Sequence, residues 1–427
     1  MLFIDSLLAA LSPFTLAMNF VGVMLGMIVG ALPGLGSVVA ITICLPFTFG
    51  MTSVSAIALL LGVYCGSICG GSIAAVLINT PGTPQSAATA FDGYPMARAG
   101  KPGKAIGWAL AASIFGGVFS CVILTFAAPQ IAVFALQFGP LETCALILMG
   151  LTCISSVSAN NQFKGLAMGV LGLLLACVGM SPFSAESRFV AVIVGVFALS
   201  EVLDRVERMR REARVENGTS CRVQLPSLGE WRGRMSGLVK SSLIGTFVGI
   251  LPGTGAATAA FLSYGEARRS SPRRENIGKG EPDGIIAAES SNNAVTGGAL
   301  VPSLALGIPG DPVTAIMLAT LTIHGVTPGV RLMTENPEMV YATFAVLMLS
   351  NLLMYPSCII TTRMFSFLLR IPEQLLMGFI AVLCILGSYG SRGNLFDVFV
   401  TVFMGIAAYF MRRMEFPLPP LVIGLVL

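Results

Sequence analysis

The residues best placed to do chemistry in this chain are glycines and prolines. Gly30-Ala-Leu-Pro-Gly-Leu-Gly36 recurs as Gly249-Ile-Leu-Pro-Gly-Thr-Gly255. Each copy is followed by a Gly-Gly pair, Gly70-Gly71 or Gly297-Gly298, and then by a second break, Asn79-Thr-Pro-Gly-Thr-Pro84 or Gly307-Ile-Pro-Gly-Asp-Pro312. All four breaks lie in long apolar sequence. A Pro-Gly break there frees backbone groups that hydrocarbon cannot satisfy, so it must face protein or a water-filled site. Paired interruptions in corresponding halves mark the binding site of a secondary transporter.

Ionisable residues inside apolar sequence are costly and are functional suspects by default. Glu289 and Asp311 stand beside the second copy's breaks. Asp311 would repel an anion if ionised at the site, so it reads as a helix N-cap or a cation ligand. Asp92, in Asp-Gly-Tyr-Pro, reads as an Asx-turn at a helix end. Glu142, after Gly139 and Pro140, suits a helix start. His324, the single histidine, reads as structural. The ten cysteines show no Cys-x-x-Cys spacing and read as small packing residues rather than metal ligands. No G-x-S-x-G elbow occurs, and Gly34-Leu-Gly36 and Gly253-Thr-Gly255 lack the third glycine of a nucleotide loop. The chain therefore reads as no enzyme, with no catalytic residues, no cofactor, no nucleic-acid partner and no metal beyond Na⁺.

The elements that must hold these breaks are membrane helices. The 427 residues are 55% hydrophobic and only 11% charged, with a mean hydropathy of +0.84, whereas a soluble domain carries about 25% charged residues. Apolar runs fall at 14–32, 52–71, 105–128, 141–158, 163–180, 188–203, 237–251, 293–307, 340–362, 373–390, 395–411 and 418–427. Crossing the hydrocarbon takes roughly 20 residues, so several runs are too short to span alone. Flanking pieces such as 237–251 and 256–265 read as half-helices of re-entrant hairpins. No Lys or Arg precedes Arg98, so the basic leading region of a signal peptide is absent and the N-terminal run is expected to stay in the membrane.

The expected fold is an all-α polytopic integral membrane protein with two homologous repeats of inverted topology, each with broken or re-entrant helices. The first repeat covers 1–203, a basic linker 204–240, and the second repeat 241–427, which reads as short at its C-terminal end. The linker carries Arg205, Arg208, Arg210, Arg211, Arg214, Arg222, Arg232 and Arg234 and reads as a solvated cytoplasmic segment. Two more clusters, Arg98, Lys101 and Lys104, and Arg268, Arg269, Arg273, Arg274 and Lys279, fall on the same side.

The break motifs, together with Tyr64-Cys-Gly-Ser-Ile-Cys-Gly-Gly71, Phe91-Asp-Gly-Tyr-Pro-Met-Ala-Arg98 and Glu289-Ser-Ser-Asn-Asn-Ala294, resemble the large membrane subunit of the tripartite tricarboxylate transporters, the TctA family. The resemblance implies an ion-driven importer, a symporter of di- or tricarboxylates or related organic acids in the bacterial inner membrane. It also implies a periplasmic solute-binding protein, a small four-helix membrane subunit, and coupling to Na⁺ or H⁺. A multiply charged carboxylate needs positive potential, yet the spans hold almost no Lys or Arg; helix N-termini created by the Pro-Gly turns supply it. Gly34, Gly36, Thr80, Gly82, Thr83, Gly253, Gly255, Gly310 and Asp311 are therefore the expected substrate site, with Thr83-Pro84 and Asp311-Pro312 as helix starts. Hard cations want oxygen ligands, and Asn79, Thr80, Ser291, Asn292 and Asn293 are the candidates. The rival reading is an organic-anion channel with paired re-entrant loops.

Overall fold

The computed structural model describes residues 6, 8–135, 137, 139, 141, 142, 145, 162–177, 189–208, 221–329, 332–370 and 372–426. Among these residues every regular element is helical. The order in the first half is α1 (Pro13–Ala31), α2 (Gly36–Cys44), α3 (Ser53–Ile78), α4 (Ala87–Arg98), α5 (Pro102–Ala135), α6 (Gln162–Cys177), α7 (Phe189–Ile193) and α8 (Ser200–Arg208). The second half follows with α9 (Met235–Ile250), α10 (Gly255–Ser270), α11 (Pro282–Leu306), α12 (Pro312–Ile323), α13 (Leu332–Glu335), α14 (Pro337–Leu368), α15 (Glu373–Arg392), α16 (Leu395–Arg413) and α17 (Pro419–Val426). Five of them, α1, α3, α5, α14 and α16, are long and apolar enough to cross a bilayer. The run expected at 141–158 lies almost entirely outside the described residues.

Helices α1 and α3 are joined by glycines spaced four apart. Gly22, Gly26 and Gly30 lie against the backbone of Leu59, Val63 and Ser67, while Gly62, Gly66 and Gly70 lie against Asn19, Val23 and Met27. Small residues at that spacing let two backbones approach closely, which is how helices associate where lipid removes the hydrophobic driving force. The pairing runs in the same direction along both helices. The Thr15 and Ser55 hydroxyls, near the two helix starts, are 2.9 Å apart. The chain from α2 to the 3₁₀ turn Leu45–Gly50 must therefore return to the level at which α1 began. The second half repeats the device: Gly245 faces Ser291 and Gly249 faces Gly298 and Ala299, so α9 and α11 also run together.

Helix α4 fixes how the halves meet. It runs with α3, since Thr83 and Ser86 face Gly71 while Gly93 faces Val76. It runs against α11, since Thr89 donates to Glu289 and Asp92 abuts Gly284. Helices α3 and α11 are consequently antiparallel. They form the centre of the molecule: Ser55 to Val76 and Gly284 to Ala305 are buried without interruption. This explains a difference from the sequence reading, which began a span at 293. The helix begins eleven residues earlier, at Pro282, because Glu289, Ser290, Ser291, Asn292 and Asn293 face protein rather than lipid and their polarity is no obstacle.

One residue from each basic cluster, Lys104, Arg234 and Arg273, is held in a shared set of ion pairs between the segments. Lys104 pairs with Glu230, and Arg234 pairs with Glu281 at 2.7 Å. Arg234 Nε also lies 2.9 Å from Asp283 Oδ1, an ion pair too bent to be a hydrogen bond. The described part of the linker, most of whose residues are exposed or half-buried, is nonetheless anchored to the helices at a few points. The Gln224 N–H donates to the Gly103 carbonyl at 2.9 Å, and Gly103 and Gly107 leave room for the Arg222 and Gln224 carbonyls to pass. Trp231 meets Trp108 edge-on at 4.8 Å. Asp92 likewise makes long-range contacts, not an Asx-turn: its Oδ1 accepts the N–H groups of Gly278, Gly280 and Glu281 at 2.8, 2.9 and 2.8 Å.

Candidate functional site

The two Leu-Pro-Gly breaks have the same backbone. Gly34 and Gly253 both have φ +81°, and Gly36 and Gly255 have φ +72° and +71°. These left-handed values are cheap only for glycine. Each break ends α1 or α9 and starts α2 or α10, and neither new helix has a side-chain cap. The Thr254 hydroxyl, the natural cap of α10, instead donates back to the Leu251 carbonyl at 2.9 Å. The first-turn N–H groups of both helices are left without a side-chain acceptor.

Both helix starts open onto one cavity of about 670 Å³. Of the expected substrate residues, Gly34, Gly36, Gly253, Gly255 and Asp311 line it, joined by Ser37, Tyr64 and Gln85. Thr80, Gly82, Thr83 and Gly310 are not among its lining residues. Gly82 donates its N–H to the Gly71 carbonyl at 3.3 Å and abuts the Gly30 carbonyl. The Gly310 carbonyl accepts the Gly253 N–H at 2.8 Å. Neither Gly82 nor Gly310 has a positive φ, so what each needs is close approach, and what approaches is backbone. Within each half these two glycines tie the second break to the first.

Thr83-Pro84 and Asp311-Pro312 do start helical turns. The Thr83 hydroxyl lies 2.8 Å from that of Ser86, and Thr80 Oγ1 turns back to Ile78 at 3.3 Å. Asp311 caps α12: its Oδ1 accepts the Thr314 N–H at 2.7 Å, its own N–H donates to Thr314 Oγ1 at 2.9 Å, and the Tyr64 hydroxyl donates to Oδ2. The α12 N-terminus is thus already filled by a carboxylate, unlike those of α2 and α10.

The expected cation ligands do not gather in one cage. Asn79 is exposed at the C-cap of α3 with φ +54°. Ser291 spends its hydroxyl on the Ala287, Ala288 and Ala259 carbonyls. Asn292 and Asn293 are fully buried in the middle of α11.

Two charged residues lining the cavity, Glu201 and Arg412, were given no role from the sequence, and a third, Arg205, expected in the solvated linker, instead packs on the first break. Arg412, at the end of α16, pairs with Glu201 while lying 3.7 Å from Asp204. Arg205 donates to the Pro33 carbonyl and covers Gly34. Glu201 and Arg412 are 211 positions apart, so no local pattern announces them; the one signal was a charge at the end of each apolar run.

A model of the tripartite tricarboxylate transporter TctA family matches residues 16–423. An Agrobacterium vitis protein described as an uncharacterized 52.8 kDa protein in the TAR-I ttuC' 3' region is 35% identical over 432 residues, covering 98% of this chain and 86% of its own length. A second protein of that organism, described as lying in the TAR-II ttuC' 3' region, is 32% identical over 183 residues, or 43% of this chain and 76% of its own. No solved structure matches.

Proposed function

Because the chain belongs to the tripartite tricarboxylate transporter TctA family, we propose that it is the large permease subunit of a binding-protein-dependent importer and carries a di- or tricarboxylate, or a related organic acid, through the cavity between its breaks. One observation supports this above all: α2 and α10, from opposite halves, both start uncapped at that cavity. A helix N-terminus presents about half a positive charge and free N–H donors that suit carboxylate oxygens. Two such ends together supply about one positive charge without any basic side chain, and Arg412, whose own charge is balanced by Glu201, adds hydrogen-bond donors at the rim. The cavity's 670 Å³ falls within the roughly 300–1,000 Å³ of small-molecule sites.

In this reading the halves, 1–203 and 241–427, are inverted repeats joined by a cytoplasmic 204–240 segment. Paired hairpins around a shared site suit elevator-like alternating access in the bacterial inner membrane. The partners are a periplasmic solute-binding protein and a small four-helix membrane subunit, and the driving force is a Na⁺ or H⁺ gradient. The test is uptake into proteoliposomes holding the complete complex, with organic acids offered on the binding protein and Na⁺ replaced by choline across a pH series. Concentrative uptake that collapses with the gradient supports the carrier. Downhill flux alone replaces it with the channel, and no organic-acid movement overturns both.

A further inference from the structure

We infer that the core of the molecule holds a binding site for a small monovalent cation, Na⁺, built from the Glu289 carboxylate and the side-chain oxygens of Asn293 and Asn351, apart from the cavity. Glu289 and Asn293 are one helical turn apart and share a face of α11. Helix α5 runs alongside: the Ser113 hydroxyl donates to Glu289 Oε2 at 2.9 Å, Gly116 abuts Ser290, and Ser120 abuts Gly297. That register sets Gly117 beside Asn293. The space over Gly117 is filled by the amide of Asn351 from α14, whose Oδ1 a Cβ at Gly117 would overlap. Three helices thus bring Glu289, Asn293 and Asn351 into one layer, and all three side chains are 0% exposed.

The two asparagines are arranged alike. Asn293 Nδ2 donates to the Glu289 carbonyl at 3.3 Å, and Asn351 Nδ2 donates to the Leu347 carbonyl at 2.8 Å. These bonds fix each amide's orientation, because a flip would set oxygen against oxygen. Both Oδ1 atoms then have no donor, although both are buried. Ser290 Oγ, also buried, has none either. Buried acceptors are ordinarily satisfied. Glu289 receives only the hydroxyls of Thr89 and Ser113, and among the described residues no basic side chain pairs with it. A buried carboxylate without a counter-charge is costly. A cation supplies the missing charge and satisfies the oxygens together. Oxygen-only ligands select a hard cation, and one carboxylate balances one positive charge. Among the described residues no three His, Cys, Asp or Glu converge, so nothing here favours a transition metal.

As the coupling site this rests on the reading of the chain as an ion-driven carrier, but cation binding is measurable without transport. The melting temperature of the purified full chain in lipid nanodiscs is followed as NaCl replaces choline chloride. Na⁺ is expected to raise it by at least about 2 °C in a saturable way, and K⁺ to do much less. Glu289→Gln, which keeps the side chain's shape, should abolish the shift. Asn293→Ala and Asn351→Ala should each raise the Na⁺ concentration at half-shift at least tenfold. Equal melting in Na⁺ and choline overturns the inference, as does an undiminished shift in Glu289→Gln. Stabilisation by acid alone in choline overturns it too and assigns a proton. Organic-acid uptake by a chain with no Na⁺ shift would leave the proposed function standing and remove only this site.

Discussion

Adding a single methyl group at Gly310 should damage the site without touching the cavity. A Cβ there would lie 2.6 Å from Ala299 Cα, 2.7 Å from its Cβ and 2.8 Å from its carbonyl oxygen. Carbon atoms in contact prefer about 3.5–4.0 Å, so the segment must move by on the order of 1 Å. Gly310 has no positive φ, which leaves steric overlap as the whole effect. Overpacking of this kind costs about 1–3 kcal/mol. The displacement also stretches the 2.8 Å hydrogen bond from Gly253 to Gly310 that ties the two breaks together, at about 0.5–1.5 kcal/mol more. Gly378 is the control: it lies in α15 with nothing within 4 Å of an added Cβ, and Ala there should gain about 0.5–1 kcal/mol. Melting in nanodiscs and uptake normalised to folded protein are compared for Gly310→Ala and Gly378→Ala. The first should melt several degrees lower and lose about tenfold in uptake, the factor that about 1.4 kcal/mol against the competent break geometry represents; the second should keep wild-type uptake and melt no lower than wild type. Equal effects at the two positions, or wild-type behaviour at Gly310, would refute the reasoning.

Gly36 has φ +72° and open space around it, so Ala costs only the left-handed backbone, about 1–2 kcal/mol, and Asn costs less; Gly36→Asn should retain more uptake than Gly36→Ala, and the reverse order would show that another property matters there. Arg412→Ala should raise the organic acid concentration for half-maximal uptake by roughly tenfold, with partial recovery in Arg412→Lys; an unchanged value would mean the guanidinium serves only Glu201. Lys104 donates to Glu230 and holds its carboxyl below the usual carboxylate range. A depressed carboxyl stabilises above its unfolded pKa and loses that contribution as pH falls, so protection of 221–234 from protease should be complete above about pH 5 and weaken below about pH 4. Glu230→Gln should show no such fall.

The breaks were legible in the sequence because their cause is local. Proline ends a helix by lacking a donor, and glycine alone adopts the positive φ at Gly34, Gly36, Gly253 and Gly255 cheaply. That α2 and α10 start there, and that Asp311 caps α12, follows from the same few residues. The start of α11 was misread because hydropathy measures the cost of facing lipid, and this helix touches only protein. The glycine ladder of α1 and α3 was present as a spacing of four, but its partner was not, since a small residue does not say which backbone it admits. Tertiary structure alone decided that Arg412 meets Glu201 across 211 positions and that Gly82 and Gly310 admit neighbouring backbone rather than line the cavity. It alone set the Asn351 amide over Gly117 of α5. The physical reason is one of range. Dihedral preference and capping act over a few residues and are written where they act, whereas charge pairing and close packing depend on which helices become neighbours, which the antiparallel meeting of α3 and α11 settles.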